Sequence, residues 1–314
     1  MEPFKAMILA AGHGTRLRPL TLNRPKVLVP VQNRPLLHWL VEYLGAAGAE
    51  AVIVNAHHLS TIVVEYIARE NFAIPVKVRV EKTLLGTGGG IGNVGDFWDS
   101  RPFVVINGDI LSWIDLQAVL RSHKRSCAIA TLVLVDEPRF NRVQVADDGR
   151  ILSFSGGSGP HLAFTGIQVL TPEVLSAIPA GTPASIINSY VQLIGTGRKV
   201  MAHVVQGQFW RELGSLDRYL EAHEEFFRLE SAPIPGLQVG GKPVIHPSAR
   251  LGSGVRLDGM VCIGAGCHLD NGVVVQGSII WEQVQVRAGC SVRRSVIADR
   301  VIVEGSVRNE ILVA

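Results

Sequence analysis

The feature that most constrains the fold is a six-residue period close to the carboxyl terminus. Aliphatic residues recur at every sixth position, and a small or branched residue follows each by four: Ile245, Leu251, Leu257, Ile263, Leu269 and Val275, then Ala249, Val255, Val261, Cys267, Val273 and Ile279. A helix cannot keep this period on one face, whereas a triangular solenoid can, with each aliphatic residue directed to the axis. The period predicts such a solenoid; a β-sandwich with regular turns is the alternative.

The earlier part of the chain follows another pattern, from Phe4 to about Leu229. Apolar strand-like runs such as FKAMILA, AVIVNA, VKVRV and FVVING alternate with helical patterns such as PLLHWLVEYLGAAG. This alternation is typical of an α/β domain with a mostly parallel sheet covered on both faces. The segment SAPIPGLQVGGK is rich in Pro and Gly and is typical of a linker. We therefore predict domains at 1–230 and 244–314, joined by a linker at 231–243.

Composition excludes several classes of protein. The chain has 314 residues and a formal net charge of +3, which is too small to indicate a nucleic-acid or membrane partner. No apolar run is long enough to span a bilayer, and the amino terminus lacks the pattern of a signal peptide. The four cysteines form no CxxC pair, so we expect them to be reduced and mostly small core residues. A cytoplasmic protein is expected.

A glycine-rich segment, LAAGHGTRLRPLTLNRPK, follows the first predicted strand. Gly12 and Gly14 would let backbone N–H groups approach a phosphate closely. Arg16 can form paired hydrogen bonds to phosphate oxygens, and Lys26 adds a compact positive charge. The segment lacks the Gly-Lys-Ser/Thr of a Walker A loop and the third glycine of the dinucleotide-binding fingerprint. Two glycines alone also fit an ordinary turn, but the whole pattern GxGTRxxPLTxxxPK is more specific.

Two further segments carry candidate ligand-binding residues. Asp109 ends the strand FVVINGD, and ligands collect at the carboxyl ends of strands in open α/β sheets. A carboxylate there suits Mg²⁺; an Asx turn or helix cap is the alternative. LLGTGGGI follows VKVRV and precedes an apolar helix start, which favours a ligand-binding loop at Gly86, Thr87 and Gly88; a flexible loop before a helix is the alternative.

Together these motifs resemble the sugar-1-phosphate nucleotidyltransferases, or NDP-sugar pyrophosphorylases. LLGTGGGI, NGD at 107–109, FTGI at 164–167 and WRELGS at 210–215 extend the resemblance over nearly the whole chain. Within the family it is similar to mannose-1-phosphate guanylyltransferase-like and N-acetylmuramate-1-phosphate uridylyltransferase-like enzymes. The resemblance implies a Rossmann-like nucleotidyltransferase domain followed by a short left-handed parallel β-helix.

The resemblance also implies a reaction and a set of site residues. An NTP and a sugar 1-phosphate would give an NDP-sugar and pyrophosphate with Mg²⁺, for cell-envelope or polysaccharide precursors. The implied residues are Arg16 and Lys26 for catalysis, Asp109 and Glu212 for the metal, Leu9, Ala11, Gly12, His13, Gly14, Thr15, Gly86, Thr87 and Gly88 for the nucleotide, and Asn141, Thr165 and Gly166 for the sugar. The sequence does not choose the nucleobase.

Two departures from the family pattern leave alternatives open. Relatives have W-x-D-x-G where this chain has Trp210, Arg211, Glu212, Leu213 and Gly214. Many relatives also carry Glu-Lys-Pro where this chain reads SFSGGSGPHL, without a lysine. A catalytically weakened regulatory or scaffold subunit would fit both departures. A bifunctional enzyme whose tail transfers an acyl group is a further alternative. A homo-oligomer formed through the solenoid is expected.

Overall fold

The computed structural model describes residues 2–155 and 160–314. Its helices are α1 Leu36–Ala46, α2 Ser60–Arg69, α3 Gly86–Gly92, α4 Leu116–Ser126, α5 Ile186–Gly195 and α6 Leu216–Arg228. The strands before α6 are β1 Phe4–Leu9, β2 Pro30–Val31, β3 Arg34–Pro35, β4 Ala49–Ala56, β5 Val76–Val80, β6 Phe103–Asn107, β7 Ile110–Ser112, β8 Ala130–Val135, β9 Val143–Val145, β10 Ile151–Ser153, β11 His161–Leu170, β12 Val200–Val204 and β13 Trp210–Glu212.

The strands after α6 are shorter. They are β14 Val244–Ile245, β15 Arg250–Leu251, β16 Arg256–Ile263, β17 His268–Leu269, β18 Val274–Ile280, β19 Gln285–Val286, β20 Ser291–Arg293, β21 Val296–Ile297, β22 Ile302–Val303, β23 Val307–Arg308 and β24 Ile311–Leu312. No helix among the described residues is long and apolar enough to cross a membrane.

Residue contacts divide the chain into two units. The first unit comprises Met1–His13, Pro25–Val27 and Leu37–Glu212, and the second comprises Gly14–Arg24, Leu28–Leu36 and Leu213–Ala314. The chain therefore passes from one unit to the other several times within the glycine-rich segment and its continuation. The domain boundaries at 230 and 244 rest on sequence pattern and remain a prediction.

A nine-stranded sheet organises the first unit. Strands β6, β1, β4 and β5 lie side by side in parallel, and β11 runs antiparallel between β6 and β8. The central strands are apolar because helices cover the sheet, and Met7, Val105 and Leu132 are buried completely. The predicted α/β domain with a mostly parallel sheet is confirmed.

The strands after α6 pair in parallel with one another. Arg250 of β15 lies opposite His268 of β17, and the side chain of Asn271 accepts a hydrogen bond from the backbone of Ser253, which is 18 residues earlier. Eighteen residues correspond to three of the predicted hexads. Ile263, Leu269 and Val275 are buried as the period predicts.

The first coil departs from the predicted pattern. Ile245 and Leu251 are 38% and 41% exposed rather than directed into the core. Their strands, β14 and β15, each pair with one later strand, β16 and β17. A coil that stacks on a single neighbour leaves one side of its aliphatic row uncovered, which is the physical reason for the exposure.

The cysteines largely follow expectation. Cys262, Cys267 and Cys290 are free and buried, whereas Cys127 is free and exposed. Burial raises the pKa of the Cys262 thiol to about 12, so this side chain behaves as a small apolar residue.

A buried histidine connects α6 with the turn between β2 and β3. The Nδ1–H of His223 donates to the carbonyl of Tyr219 at 2.8 Å, and its Nε2 accepts from the backbone N–H of Gln32 at 3.3 Å. Gln32 has a positive φ of 49° and exchanges two side-chain hydrogen bonds with the backbone of Gln238. Burial lowers the pKa of His223 to about 4, so the ring is neutral at pH 7 and can accept.

Acidification should therefore destabilise the protein through His223. An unfolded histidine has a pKa of about 6.5 and takes up a proton that the folded ring refuses until about pH 4, so stability falls over that interval by on the order of 3 kcal/mol. We expect His223→Gln to flatten the dependence of the free energy of unfolding on pH, measured by urea denaturation. His246→Gln, at a half-buried histidine elsewhere in the second unit, is the control. Parallel pH profiles of the parent and His223→Gln would contradict this origin.

Candidate functional site

The carboxyl ends of the central strands are aligned. Leu9, the last residue of β1, lies in register with Asn55 of β4 on one side and with Asn107 of β6 on the other. The segments that follow these strands therefore emerge at one edge of the sheet, where ligands bind in open α/β folds. Three of the predicted site segments begin there: the glycine-rich segment after β1, NGD after β6, and LLGTGGGI beyond β5.

A buried polar network supports this edge, and sequence reasoning missed it. The side-chain oxygen of Asn55 accepts from the backbone N–H of Ala10 at 2.7 Å, and its Nδ2 donates to Glu81 Oε1 at 2.7 Å. Glu81 Oε2 accepts from the backbone N–H of Leu85 at 3.0 Å. Asn55 and Glu81 are 2% and 3% exposed. The available signal was a polar residue near the end of AVIVNA and another directly after VKVRV.

The first part of the glycine-rich segment is open. Gly12 is exposed, and a Cβ added to it would meet no atom within 4 Å. The ring of His13 lies 5.6 Å from that of His57 and 5.5 Å from that of His58, between ring centroids. The Nδ1–H of His57 donates to the carbonyl of Glu81 at 2.9 Å, which fixes the tautomer of that ring. Leu9 and Ala11, which are also predicted to bind nucleotide, lie just before Gly12 in the chain.

The second part belongs to the second unit. Gly14 has a φ of 64°, a left-handed conformation that glycine adopts without cost. Its carbonyl accepts from the backbone of Leu17 and from the hydroxyl of Thr21 at 2.9 and 2.8 Å. Thr15 and Arg16 are exposed, whereas Leu17 is buried. The turn is thus stabilised by the hydrogen bonds to the Gly14 carbonyl and by the buried Leu17, while Thr15 and Arg16 are exposed.

Lys26 and Asp109 meet in the first unit. The ammonium Nζ of Lys26 lies 2.6 Å from Oδ2 of Asp109, and their side chains are only 14% and 21% exposed. Asp109 follows Gly108, whose N–H donates to the carbonyl of Leu9, and a Cβ at 108 would lie 2.7 Å from that carbonyl. Gly108 is therefore required for the close approach of the segment that carries Asp109. The structure joins two residues that the sequence assigned to separate roles.

Glu212 lies on the strand next to Asp109. In the antiparallel pair of β13 with β7, Glu212 is opposite Ile110, the residue after Asp109. Trp210 is buried at the start of β13 and donates from Nε1 to the carbonyl of Thr165 at 2.9 Å. The backbone thus brings the two predicted metal ligands to neighbouring positions.

The donor set fits Mg²⁺ bound together with phosphates. Asp109 and Glu212 offer carboxylate oxygens, which Mg²⁺ prefers. Among residues 2–155 and 160–314, no three His, Cys, Asp or Glu side chains form a cluster that could hold a metal. Mg²⁺ usually takes one or two carboxylates and completes its shell with water and substrate phosphates, so the pair of Asp109 and Glu212 is of a type that it binds.

The glycines of LLGTGGGI have an explanation that the sequence did not predict. Gly86 has a φ of 69°, and a Cβ on it would lie 2.8 Å from the carbonyl of Ala184. That carbonyl accepts from the N–H of Gly88 at 2.8 Å, and the hydroxyl of Thr87 accepts from the N–H of Ile186 at 3.0 Å. The glycines let α3 pack closely against the start of α5. Base binding by Gly86, Thr87 and Gly88 remains a prediction.

The predicted sugar residues fall into two groups. Gly166 lies at an irregularity in the pairing of β11 with β8; it has a φ of 80°, and a Cβ there would lie 2.5 Å from Nδ2 of Asn107. Thr165 is buried and donates its hydroxyl proton to the carbonyl of Val133 at 2.8 Å. Both lie beside the end of β6.

Asn141 lies in a different segment, where it closes a loop by bonding to Asp136 and to the backbone of Glu137. In SFSGGSGPHL, the segment in which the family lysine is missing, residues 156–159 lie outside the described residues.

Two protein-family models match the chain. Residues 5–228 match the family model described as nucleotidyl transferase, and residues 239–313 match the GMPPB C-terminal domain. Solved structures of HddC from Yersinia pseudotuberculosis, one of them complexed with GMP-PN, share the fold, with a TM-score of 0.62 and 24% identity over 71% of this chain and 99% of that chain.

Two sequence relatives span most of the chain. A mannose-1-phosphate guanylyltransferase from Mycobacterium tuberculosis is 31% identical over 298 residues, 92% of this chain and 83% of that protein. A UTP–glucose-1-phosphate uridylyltransferase from Synechocystis is 27% identical over 344 residues, 96% of this chain and 88% of that protein. With the family model matched over residues 5–228, the chain belongs to the sugar-1-phosphate nucleotidyltransferases.

Proposed function

We propose that this protein transfers a nucleotidyl group from an NTP to a sugar 1-phosphate with Mg²⁺, giving an NDP-sugar and pyrophosphate. The observation that carries the proposal is the contact of 2.6 Å between Lys26 and Asp109, directly after β6, at the edge where the glycine-rich segment begins. A cation and a metal-binding carboxylate held together there suit a highly charged phosphate substrate.

The reaction needs little covalent chemistry from the protein. An anionic phosphate oxygen of the sugar 1-phosphate bonds to the α-phosphorus of the NTP, and the bond from that phosphorus to the bridging oxygen of pyrophosphate breaks. The attacking oxygen is already deprotonated, so no general base is required. Catalysis then depends on positioning and charge neutralisation. Lys26 and Arg16 would oppose the phosphate charge, while the open backbone around Gly12 leaves room for the phosphates.

Asp109 and Glu212 would hold the Mg²⁺, whose contribution when bound is to neutralise phosphate oxygens. Leu9, Ala11, His13, Gly14 and Thr15 would complete the nucleotide site with Gly86, Thr87 and Gly88. Asn141, Thr165 and Gly166 would face the sugar. The curated relatives named above make GTP with mannose 1-phosphate and UTP with glucose 1-phosphate the first substrate pairs to test.

The remaining expectations belong to the same proposal. We infer that the parallel coils from Val244 onward are a left-handed β-helix and that this part of the chain joins copies into a homo-oligomer. The exposed Ile245 and Leu251 of the first coil support an association surface. A cytoplasmic role in precursor synthesis for the cell envelope or polysaccharides would follow from such a product.

Pyrophosphate release with Mg²⁺ tests the function directly. We expect release only when an NTP and a sugar 1-phosphate are both present, in a screen over several of each. Binding of NTP without pyrophosphate release from any pair would favour a regulatory subunit and would overturn the enzymatic proposal.

Lys26 and Asp109 should each be essential for turnover. Lys26→Ala and Asp109→Asn remove the charges that oppose and organise the phosphates, so we expect kcat to fall by about 100-fold or more for each. Circular dichroism should remain that of the parent, and Lys242→Ala, an exposed lysine outside the site, should leave kcat unchanged. Mild effects of both site substitutions would mean that the reaction occurs elsewhere.

Glu212 should show its role in the magnesium dependence. Glu212→Gln keeps the size of the side chain but removes its charge, so kcat should fall and the Mg²⁺ concentration for half-maximal rate should rise. Glu212→Asp should retain or raise activity, because the shorter carboxylate suits near-octahedral coordination at about 2.1 Å. A Glu212→Gln protein that matched the parent at every Mg²⁺ concentration would exclude a metal role.

A further inference from the structure

Arg24 closes the turn that carries Lys26. Its Nη1 donates to the carbonyl of Leu28 at 3.3 Å, so the guanidinium spans from one end of residues 24–28 to the other. Lys26 lies at the middle of this turn, where a short 3₁₀-helix, Lys26–Leu28, begins. The conformation of the turn therefore depends on where the Arg24 guanidinium is held.

Three residues of the second unit hold that guanidinium. Nη2 of Arg24 lies 2.8 Å from Oδ2 of Asp299 and 3.2 Å from Oε1 of Glu282, and the guanidinium carbon lies 5.3 Å from the centre of the Trp281 ring. The Arg24 side chain is only 17% exposed. Asp299 is itself fixed, because its Oδ1 accepts from the backbone N–H of Glu282 at 3.1 Å. A planar, multidentate guanidinium held on two carboxylates and a ring has little freedom to rotate.

The chain beyond the turn is held in the same unit. The hydroxyl of Tyr219 donates to the carbonyl of Pro30 at 2.6 Å and accepts from Nε1 of Trp281 at 3.2 Å. Asn33 donates to the carbonyl of Ile263 at 2.7 Å. Trp281 therefore contacts the segment on both sides of Lys26: its ring lies against Arg24, and its Nε1 holds Tyr219, which bonds to Pro30. The segment between these anchors, Pro25–Val27, is the part assigned to the first unit.

The geometry points to Arg24 as a positioning residue for Lys26, held in place by Trp281, Glu282 and Asp299. A lysine side chain has four rotatable bonds and loses rotamer freedom when it is fixed, so its ammonium is held in one place only if its backbone is held too. Arg24 supplies that constraint by joining Leu28 to the carboxylates. The inference rests on the proposed function only in assigning Lys26 to the phosphates.

A double-mutant cycle distinguishes positioning from simple stabilisation. Misplacing the ammonium weakens an interaction realised in the transition state, so Arg24→Gln should lower kcat by about 10-fold or more while changing the KM for NTP by less than about two-fold. In a Lys26→Ala background, Arg24→Gln should lower kcat no further. An equal fold-loss in both backgrounds would overturn the inference, because Arg24 would then act independently of Lys26.

Carboxylate variants repeat the test without altering the turn itself. Asp299→Asn and Glu282→Gln keep the shape of each side chain and remove its charge, and we expect an intermediate loss of kcat from each. Glu304→Gln, the same chemical change at an exposed residue of the second unit, is the matched control. Should Arg24→Gln fail to fold, these two variants carry the same cycle with Lys26→Ala. Losses no larger than that of Glu304→Gln would contradict the inference.

Amine labelling tests positioning without reference to the reaction. With a limiting amine-reactive ester, followed by peptide mass spectrometry, Lys26 in Arg24→Gln should react several-fold faster than in the parent, while Lys242 reacts at an unchanged rate. Unchanged reactivity of Lys26 would overturn the positioning role. Altered reactivity in a protein that releases no pyrophosphate would support positioning while the proposed function failed.

Discussion

The buried amide of Asn55 determines how the edge of the sheet is built. It accepts from Ala10 and donates to Glu81, and Glu81 in turn accepts from Leu85, so one network connects the segment after β1 with the start of α3. A buried polar group left unsatisfied costs about 1–3 kcal/mol, which gives the network strong geometric control. It also explains Gly90, where a Cβ would lie 2.7 Å from Nδ2 of Asn55. The network fixes the backbone at Ala10, two residues before the open backbone at Gly12.

The positively charged residues of the glycine-rich segment and its continuation differ in their contacts. Arg24 is paired with two carboxylates and a ring, and its role is structural. Lys26, two residues later, is paired with Asp109, one of the two carboxylates that the family resemblance assigns to the metal. Arg16 is exposed. A single short segment therefore contains Arg24, which is anchored within the second unit, and the two cations that we propose for the phosphates, Arg16 and Lys26.

Local patterns predicted much of the architecture. The alternation of apolar strands and amphipathic helices led to the parallel strands β1, β4, β5 and β6, because period and burial are encoded residue by residue. The hexad period led to parallel coils for the same reason. The period could not predict the exposure of Ile245 and Leu251, because their burial depends on whether another coil covers them. Likewise, the glycines of LLGTGGGI could leave room either for a bound nucleobase or for a closely packed helix. Only the structure, in which the backbone of Ala184 approaches Gly86, showed the close helix packing.

The sequence by itself determined the α/β sheet, the parallel pairing near the carboxyl terminus and the family, and it supplied the candidate residues for a phosphate ligand, since these follow from periodicity and from contiguous motifs. Only the tertiary structure decided which of those residues are neighbours. Lys26 and Asp109 are 83 positions apart and in contact, and Arg24 reaches Glu282 across 258 positions. Such pairings arise from the register of strands and from burial that satisfies distant polar groups, neither of which leaves a local signal in the chain.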